Sequence, residues 1–295
     1  MKDLNIKVLV IGDSCEDVFI YGDIERISPE APIPVFKPTH EKSNSGMAKN
    51  VSSNVESLDM VIHTVTNKNS IIKKRYVDNR SGQMVLRVDE HDYCDRIDNN
   101  LLSGLVKNRF KQPPFGFKSQ REFHYDAIII SDYCKGFLEE EDIQYICENN
   151  ENVFVDTKKK LGEWIKDADY IKINELEYLK NHEVLSENGF EEKLIVTLGS
   201  NGCRYKGLEY PVKKVPVREI SGAGDTFIVG LVRGYLDTNN IYEAIKFAQK
   251  CTNIVIQKNG VSIVTMEEIK KYEKQYKCLN LKLQHMTEFE EATYD

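Results

Sequence analysis

The chain has 295 residues, of which 41% are hydrophobic and 29% charged, the profile of a soluble globular protein long enough for one large α/β domain or two small ones. A formal net charge of −7 disfavours a nucleic acid or an anionic membrane as the main partner. The seven cysteines are dispersed, with no CxxC pair and no histidine at ligand spacing, which suits a reducing cytosol better than a disulfide framework or a zinc site. There is no N-terminal signal pattern and no apolar stretch near the roughly 20 residues that span a bilayer, so we expect a cytoplasmic protein.

The first part of the chain predicts a buried strand, a proline-rich segment and a helix. Lys7–Ile11 is a continuous apolar run that ends at Gly12, which is typical of a buried parallel strand with a loop at its carboxyl end. Three prolines within 21–36 exclude a helix or a central strand and indicate an edge strand or a lid. A helix is predicted from Ser45 to about Leu58.

Two charged strands follow a short strand at 60–65. Residues 71–77 and 84–89 alternate in polarity and are joined by a turn, which predicts a hairpin. Their many charges predict that one face is wet. We pair this hairpin with the proline-rich segment as a small β lid, spanning about 17–38 and 71–90. The charged residues are Lys73, Lys74, Arg75 and Arg87.

From residue 126 onward strands and helices alternate, which predicts a parallel sheet. A helix at 99–110 and a loop at 111–124 precede this region, and a capping box at Thr265 and Glu268 begins the last helix. We expect one domain over 1–282 and a flexible acidic tail at 283–295. The predicted strands are 126–131, 152–156, 170–173 and 193–198, the predicted helices are 139–149, 174–181, 222–236, 241–258 and one from 266, and a hairpin is predicted at 204–215.

Residues 220–227 read Ile-Ser-Gly-Ala-Gly-Asp-Thr-Phe and run directly into an apolar helix. Glycine backbone N–H groups turned inward, together with the positive end of a helix dipole, form an anion hole suited to a transferring phosphoryl group. Asp225 would lie beside that anion, where it could take a proton from an attacking hydroxyl. The alternative is an ordinary helix start in which Asp225 only satisfies the dipole.

Asp13 and Asp17 follow the first strand, and ligands of open α/β sheets gather outside the carboxyl ends of strands. Both are candidates for hydrogen bonds to a polyhydroxylated ligand. The alternative is that both cap loop backbone.

Seven stretches, in order between Val8 and about Thr265, resemble the ribokinase-like (PfkB-type) carbohydrate kinases. Two of them, RISPEAPIPV at 26–35 and SDYCKG at 131–136, resemble most closely the D-glycero-β-D-manno-heptose 7-phosphate kinase domain of bacterial ADP-heptose synthesis. The other five stretches are Gly12-Asp13 followed by Asp17, Asp156 with Lys158, Asn174 with Glu177, Val196-Thr197 followed by Gly202, and Gly222-Ala223-Gly224-Asp225-Thr226.

The resemblance implies a ribokinase-like three-layer α/β fold, with a mostly parallel central sheet flanked by helices and a small β-sheet lid. It also implies ATP-dependent transfer of the γ-phosphate to a sugar hydroxyl, giving the 1,7-bisphosphate if the acceptor is a heptose 7-phosphate.

The resemblance also implies roles for the matching residues. Asp225 would be the general base, and the backbone of Gly222, Ala223 and Gly224 would hold the phosphoryl group in transit. The substrate would be bound by Asp13, Asp17, Arg26, Asn50 and Lys135, with Arg75 and Arg87 of the lid helping at its phosphate.

The nucleotide site is implied in the same way. Asn174 and Glu177 would order Mg²⁺ and its waters beside the ATP phosphates, and a monovalent cation is left open. The nucleotide pocket would be lined by Thr197, Gly202, Asn253 and Gly260.

The chain departs from the family pattern in several places. Met47 stands beside Gly46 where the family usually has two glycines, the spans 58–71 and 181–193 are short, and we expect no nucleotidyltransferase domain after the kinase part. These departures leave open another acceptor (a ketohexose, a ribose or a nucleoside), or a catalytically silent protein that binds a sugar phosphate. Asp225, Asn174 and Glu177 favour the enzyme, because a binding module needs neither a base nor a metal site. The lid resemblance also implies a homodimer formed through the lid.

Overall fold

Two β-sheets organise the structure, a computed structural model that describes residues 5–106 and 124–275. The strands are β1 (Lys7–Gly12), β2 (Ser14–Ile27), β3 (Pro34–Met47), β4 (Val61–Thr66), β5 (Ile71–Asp78), β6 (Met84–Glu90), β7 (Ala127–Asp132), β8 (Val153–Thr157), β9 (Tyr170–Asn174), β10 (Leu194–Thr197), β11 (Cys203–Tyr205) and β12 (Leu208–Tyr210). The helices are α1 (Ala48–Ser57), α2 (Asn99–Leu105), α3 (Glu140–Asn149), α4 (Glu175–Asn188), α5 (Ala223–Thr238) and α6 (Ile241–Val255), followed by a helical segment at 266–275.

The large sheet has the order β12-β11-β10-β9-β8-β7-β1-β4. Its strands from β4 to β10 are parallel, and the β11–β12 hairpin adds two antiparallel strands at one edge. Every residue of β7 is buried, as expected for a parallel strand with both faces covered. The predicted mostly parallel α/β sheet is confirmed.

Helices cover both faces of the large sheet, which gives three layers. Alternate residues of β1 point to opposite faces, so Leu9 belongs to one apolar core and Val10 to the other. Leu9 packs in the core that includes Ile143 of α3, and Val10 packs in the core formed with α1, α5 and α6. The three-layer arrangement leaves the carboxyl ends of the strands free to carry a site.

The small sheet has the order β3-β2-β5-β6 and covers one end of that arrangement. Strands β2 and β5 pair in parallel at its centre, while β3 and β6 are antiparallel edge strands. The proline-rich segment contributes the edge strand β3, as its prolines predict. The chain passes from β1 into β2 after one residue, and from β3 directly into α1, so both sheets meet beside α1.

Several boundaries differ from the sequence-based prediction. Residues 45–47 extend β3, and the first helix begins only at Ala48. Helix α4 continues to Asn188 and ends at Gly189, and residues 211–220 carry no strand or helix. The capping box at Thr265 and Glu268 is confirmed by reciprocal hydrogen bonds of 2.9 and 3.3 Å. The predicted loop at 111–124 except its last residue, the end of the helix predicted to residue 110, and the acidic tail lie outside the described residues.

Candidate active site

The glycine-rich segment predicted as an anion hole begins α5. Gly222 precedes the helix with a φ of 81°, a left-handed conformation that favours glycine. A Cβ at this position would also stand 2.9 Å from the Asn50 amide nitrogen. Glycine therefore allows α1 to approach the first turn of α5, where Asp225 is buried.

The Asp225 carboxylate accepts hydrogen bonds from two different parts of the fold. The Tyr133 hydroxyl donates to Oδ1 over 2.9 Å, and the Asn50 side-chain amide donates to Oδ2 over 2.7 Å. Burial raises the pKa of Asp225 to about 6, although both hydrogen bonds oppose the shift. A carboxylate held in this way is ionised at neutral pH and still basic enough to accept a proton.

A second polar pair continues the contact between α1 and α5. The Thr226 hydroxyl donates to Asn54 Oδ1 over 2.9 Å, and Asn54 lies one turn after Asn50 on α1. Both side chains of the pair are fully buried. These two contacts fix the rotation of α1 against the helix that carries Asp225.

A buried ion pair lies behind the glycine-rich segment. Lys172 Nζ is 2.6 Å from an oxygen of Asp156, and both residues are under 5% exposed. A Cβ on Gly224 would stand 2.9 Å from this ammonium group. Lys172 has no role in the sequence-based prediction, and its ammonium group brings a positive charge to the predicted anion hole.

Asn174 and Glu177, the predicted magnesium residues, form a capping box at the start of α4. The Asn174 side chain accepts from the Glu177 backbone over 2.9 Å, and Glu177 accepts from the Asn174 backbone over 2.8 Å. The Glu177 carboxylate also contacts Lys158 Nζ at 2.5 Å. Within 5–106 and 124–275 no group of three His, Cys, Asp or Glu residues could hold a metal ion. This donor set fits Mg²⁺ only as a hydrated ion that Glu177 reaches through water.

A cavity of about 530 Å³ opens beside the start of α5. Of the four residues predicted to line a nucleotide pocket, Thr197, Gly202 and Asn253 border this cavity. Gly260 does not border it and lies in the turn after α6. The walls also include Ala223, Gly224, Phe227, Val215, Val217 and Ile256. The cavity thus joins an apolar pocket to the predicted anion hole, and its volume is in the range of small-molecule sites.

Asp13 is fully buried, and its carboxylate anchors the loop that follows β7. Backbone N–H groups of Tyr133, Lys135 and Phe137 donate to it over 2.6, 3.2 and 3.1 Å. These contacts match the alternative that Asp13 caps loop backbone. By fixing this loop, Asp13 positions the Tyr133 hydroxyl against Asp225.

The other predicted substrate cations carry carboxylate partners on the small sheet and its surroundings. Arg75 pairs with Asp17, and Lys135 Nζ is 2.5 Å from Asp92. Arg87 binds both oxygens of Asp89 over 2.7 and 2.8 Å. Arg26 is exposed near the far end of β2, nine residues beyond Asp17, which is roughly 30 Å along an extended strand. The structure therefore does not bring Arg26 to this cluster.

The Gly46-Met47 pair joins β3 to α1. A Cβ on Gly46 would stand 2.6 Å from both the Asp17 carboxylate and the Cys15 thiol. Met47 has a φ of 57° and a ψ of −133°, a conformation that glycine adopts far more readily, and its side chain is buried. The departure from two glycines therefore places strain at the joint between the small sheet and α1.

A family model described as pfkB family carbohydrate kinase matches residues 106–268, more than half of the chain. The chain belongs to the pfkB family of carbohydrate kinases. It is therefore a phosphotransferase with an alcohol group as acceptor.

This kinase is also similar to longer curated proteins. It is 28% identical to the bifunctional protein HldE of Helicobacter pylori strain J99, over 89% of this chain and 65% of that protein. It is 27% identical to the bifunctional protein HldE of a Nitratiruptor species, over 91% of this chain and 65% of that protein. The chain thus spans 65% of the length of each of these two relatives, slightly less than two thirds.

Solved structures share the fold of this PfkB-family kinase. Ribokinase of Arabidopsis thaliana, complexed with ribose and ATP, superposes with a TM-score of 0.64 at 12% identity, over 91% of this chain and 98% of that chain. Phosphofructokinase-2 of Escherichia coli, in complex with potassium, superposes with a TM-score of 0.62 at 13% identity, over 92% and 98%. The predicted ribokinase-like fold is confirmed.

Three residues of this kinase site had no predicted role. Tyr133 lies within the SDYCKG stretch, but its contact with Asp225 depends on how the loop folds. Asn54 could have been noticed as a polar residue one turn after Asn50 on an apolar helix face. Lys172 carries a weaker signal, a lysine in the middle of an otherwise apolar strand.

Proposed function

We propose that this kinase transfers the γ-phosphate of ATP to a hydroxyl of a sugar phosphate, and that the sugar is a heptose 7-phosphate, giving the 1,7-bisphosphate. The observation that carries the proposal is the buried Asp225, oriented by Tyr133 and Asn50 at the start of α5. The heptose assignment rests on the RISPEAPIPV and SDYCKG stretches and is supported by the similarity to HldE proteins.

In the proposed reaction Asp225 accepts the proton of the attacking hydroxyl, whose oxygen then bonds to the γ-phosphorus as ADP leaves. Tyr133 and Asn50 hold the carboxylate in one orientation throughout. The backbone N–H groups of Gly222 and Gly224 and the Lys172 charge stabilise the negative charge of the phosphoryl group in transit, whereas the Ala223 N–H donates to the Ile220 carbonyl over 3.1 Å. A base contributes about 10²–10⁴-fold and one anion-hole donor about 10²–10³-fold.

We assign the 530 Å³ cavity to the nucleotide, with Thr197, Gly202 and Asn253 against the base and ribose. Ala223 and Gly224 form part of its wall, so phosphates that extend from the cavity on this side would lie beside the anion hole. Mg²⁺, when bound with ATP, neutralises phosphate charge, and Glu177 and Asn174 would hold it through water. Lys158, which contacts both Glu177 and Asp156, would face the same phosphates.

We assign the acceptor to the opposite side of Asp225, beneath the small sheet. Asp17 and Asn50 would accept and donate hydrogen bonds to sugar hydroxyls, and Lys135 and Arg75 would lie near the substrate phosphate. Direct binding of hydroxyls by Asp13 stays a prediction, since its carboxylate anchors a loop.

We also propose a homodimer formed through the small sheet. Its edge strand β6 exposes three consecutive apolar side chains, Met84, Val85 and Leu86, each at least 40% exposed. Exposed apolar edge strands are prone to pair with a second copy. Sedimentation of the wild type beside a Met84→Lys, Leu86→Lys double variant tests this, and a wild-type monomer would contradict it.

Among the described residues no helix is long and apolar enough to cross a membrane.

Conversion of ATP to ADP, measured with Mg²⁺ over a panel of sugars and sugar phosphates, tests the function. Turnover with the heptose 7-phosphate that Asp225→Asn abolishes is the expected result. Turnover restricted to a free ketohexose, ribose or nucleoside would keep the mechanism and remove the heptose assignment. Binding of a sugar phosphate without turnover would contradict the proposed catalytic function.

A further inference from the structure

Lys73, at the centre of the small sheet, is the residue that the proposed reaction leaves unexplained. It is only 7% exposed, although the charged pattern of β5 predicts a wet face. Among the described residues no hydrogen bond or ion pair joins its ammonium group to another side chain. The next residue, Lys74, points to the opposite face of the strand and pairs with Glu90 at 2.8 Å.

The carboxylates nearest to Lys73 along the sheet already bind other cations. Lys73 is opposite Asp17 on β2 and opposite Asp89 on β6. Asp17 pairs with Arg75, and Asp89 is held by both nitrogens of Arg87. The remaining acidic side chain of this group, Asp92, pairs with Lys135. Four cations thus share three carboxylates, and Lys73 is the cation left over.

The electrostatic surroundings of Lys73 make this excess charge costly. Burial is the main cause that lowers the pKa of Lys73, and the positive charges of Lys135 and Arg87 act in the same direction, while Cys15 and Asp92 oppose the shift without cancelling it. An isolated buried ammonium is strongly unfavourable unless a negative group accompanies it. Because no side chain among the described residues pairs with Lys73, an anionic ligand would compensate its charge.

The position of Lys73 indicates where that anion would lie. Lys73 lies opposite Asp17 in the register of β5 with β2, and Asp17 and Cys15 both lie beside Gly46, just before the helix α1 whose Asn50 donates to Asp225. Lys73 is therefore on the inner face of the small sheet, on the acceptor side of the base. The anion hole at residues 222–224 is a separate place, beside Lys172 and the nucleotide cavity.

We propose that Lys73 is the main ligand of an anionic group that the acceptor sugar already carries, most simply its phosphate. The inference rests on the proposed function and makes it more specific, because it selects acceptors with a phosphate remote from the attacking hydroxyl. Arg75, Arg87 and Lys135, each bound to a carboxylate, shape this subsite and add positive potential, while Lys73 supplies the free charge.

The test compares Lys73→Met with Lys74→Met, a matched change of the adjacent lysine on the opposite face. Binding of inorganic phosphate is measured by calorimetry, and KM is measured for the sugar phosphate and for the same sugar without its phosphate. We expect Lys73→Met to weaken phosphate binding and raise KM for the sugar phosphate about 10- to 100-fold, as loss of a charged hydrogen-bond donor does. The Lys74→Met variant and the unphosphorylated sugar should show little change.

Two further results separate the possible failures. If Lys73→Met binds phosphate and sugar phosphate as Lys74→Met does, the subsite is wrong even if the kinase function holds. If wild type binds phosphate, Lys73→Met does not, and no sugar is turned over, the subsite stands and the proposed function fails. Lys73→Arg, which keeps the charge, should retain most of the phosphate binding. Loss of phosphate binding in this variant would contradict the proposal. Melting curves check that each variant is folded.

Discussion

The Lys172 ammonium and the Asp156 carboxylate are 2.6 Å apart, and both are buried behind Gly224. Burial alone would raise the pKa of Asp156, but Lys172 and Lys158 outweigh this effect and the net pKa is below its usual value. Buried ion pairs add little net stability compared with apolar side chains of similar size. The position of this pair beside the anion hole therefore suggests that its use is in catalysis.

Lys172→Met should lower kcat/KM and destabilise the protein, because it removes charge from the anion hole and leaves Asp156 partly uncompensated. Breaking a buried pair typically costs about 3–5 kcal/mol. The double variant Asp156→Asn, Lys172→Met should recover much of the stability but little of the activity. Urea unfolding and kcat/KM measured on both variants check this, and recovery of activity in the double variant would show that Lys172 only neutralises Asp156.

Activity should fall at acidic pH because Asp225 must be ionised to accept a proton. With its pKa near 6, kcat/KM should decline about tenfold per pH unit below that value. Tyr133→Phe removes a hydrogen bond that favours the ionised form, so its acid limb should move to higher pH. The acid limbs of the wild type and of Tyr133→Phe are compared by measuring kcat/KM of each protein as a function of pH. An unchanged profile in the phenylalanine variant would mean that Tyr133 does not tune this base.

Asp225→Asn should be inactive yet more stable than wild type at neutral pH. A pKa near 6 in the folded state, against an ordinary 3.8, means that ionised Asp225 destabilises the fold by about 3 kcal/mol. This cost is absent below about pH 4, grows as the pH rises to about 6, and is constant above. The melting-temperature advantage of the variant should therefore be larger at neutral than at acidic pH. A constant difference would exclude ionisation as its cause.

Substitutions at Met47 should reverse the usual preference for alanine over glycine. Met47→Ala loses the buried side chain, at about 2–5 kcal/mol, and keeps the unfavourable backbone. Met47→Gly loses the same side chain but relieves strain of about 1–3 kcal/mol. We expect the glycine variant to unfold at a higher urea concentration than the alanine variant. The opposite order would mean that the backbone at this joint is not strained.

Local patterns were sufficient to predict the buried strands and several of the helix starts, although α1 begins three residues later than predicted. The consecutive apolar residues of Lys7–Gly12 are enough to predict a buried strand. The capping box is equally local, because Thr265 and Glu268 are only three positions apart. The helix of the glycine-rich segment was predicted for the same reason. Its start at Ala223 follows from the left-handed Gly222.

The site could be predicted only in part because its contacts join distant segments. Asp225 meets a tyrosine 92 positions earlier and an asparagine 175 positions earlier, and no periodicity encodes such meetings. The charge pattern of β5 suggested a wet face, whereas Lys73 is buried because the small sheet turns that face inward. Arg26 belongs to a motif that resembles the family, but its strand carries it away from the base of the same chain, so its role in substrate binding stays a prediction.

The parallel pairing of β2 with β5 also has a consequence for the order of folding. Each of the hairpins β2–β3 and β5–β6 can form from neighbouring chain, but Asp17 and Lys73, which face each other across the seam between them, are 56 positions apart. Closing so long a loop has an entropic cost, and the intervening chain contains α1 and the strand β4, which pairs with β1 of the large sheet. We expect the acceptor half of the site to be assembled after the nucleotide half. During refolding the chain should therefore regain its ability to bind ATP before its ability to bind the sugar.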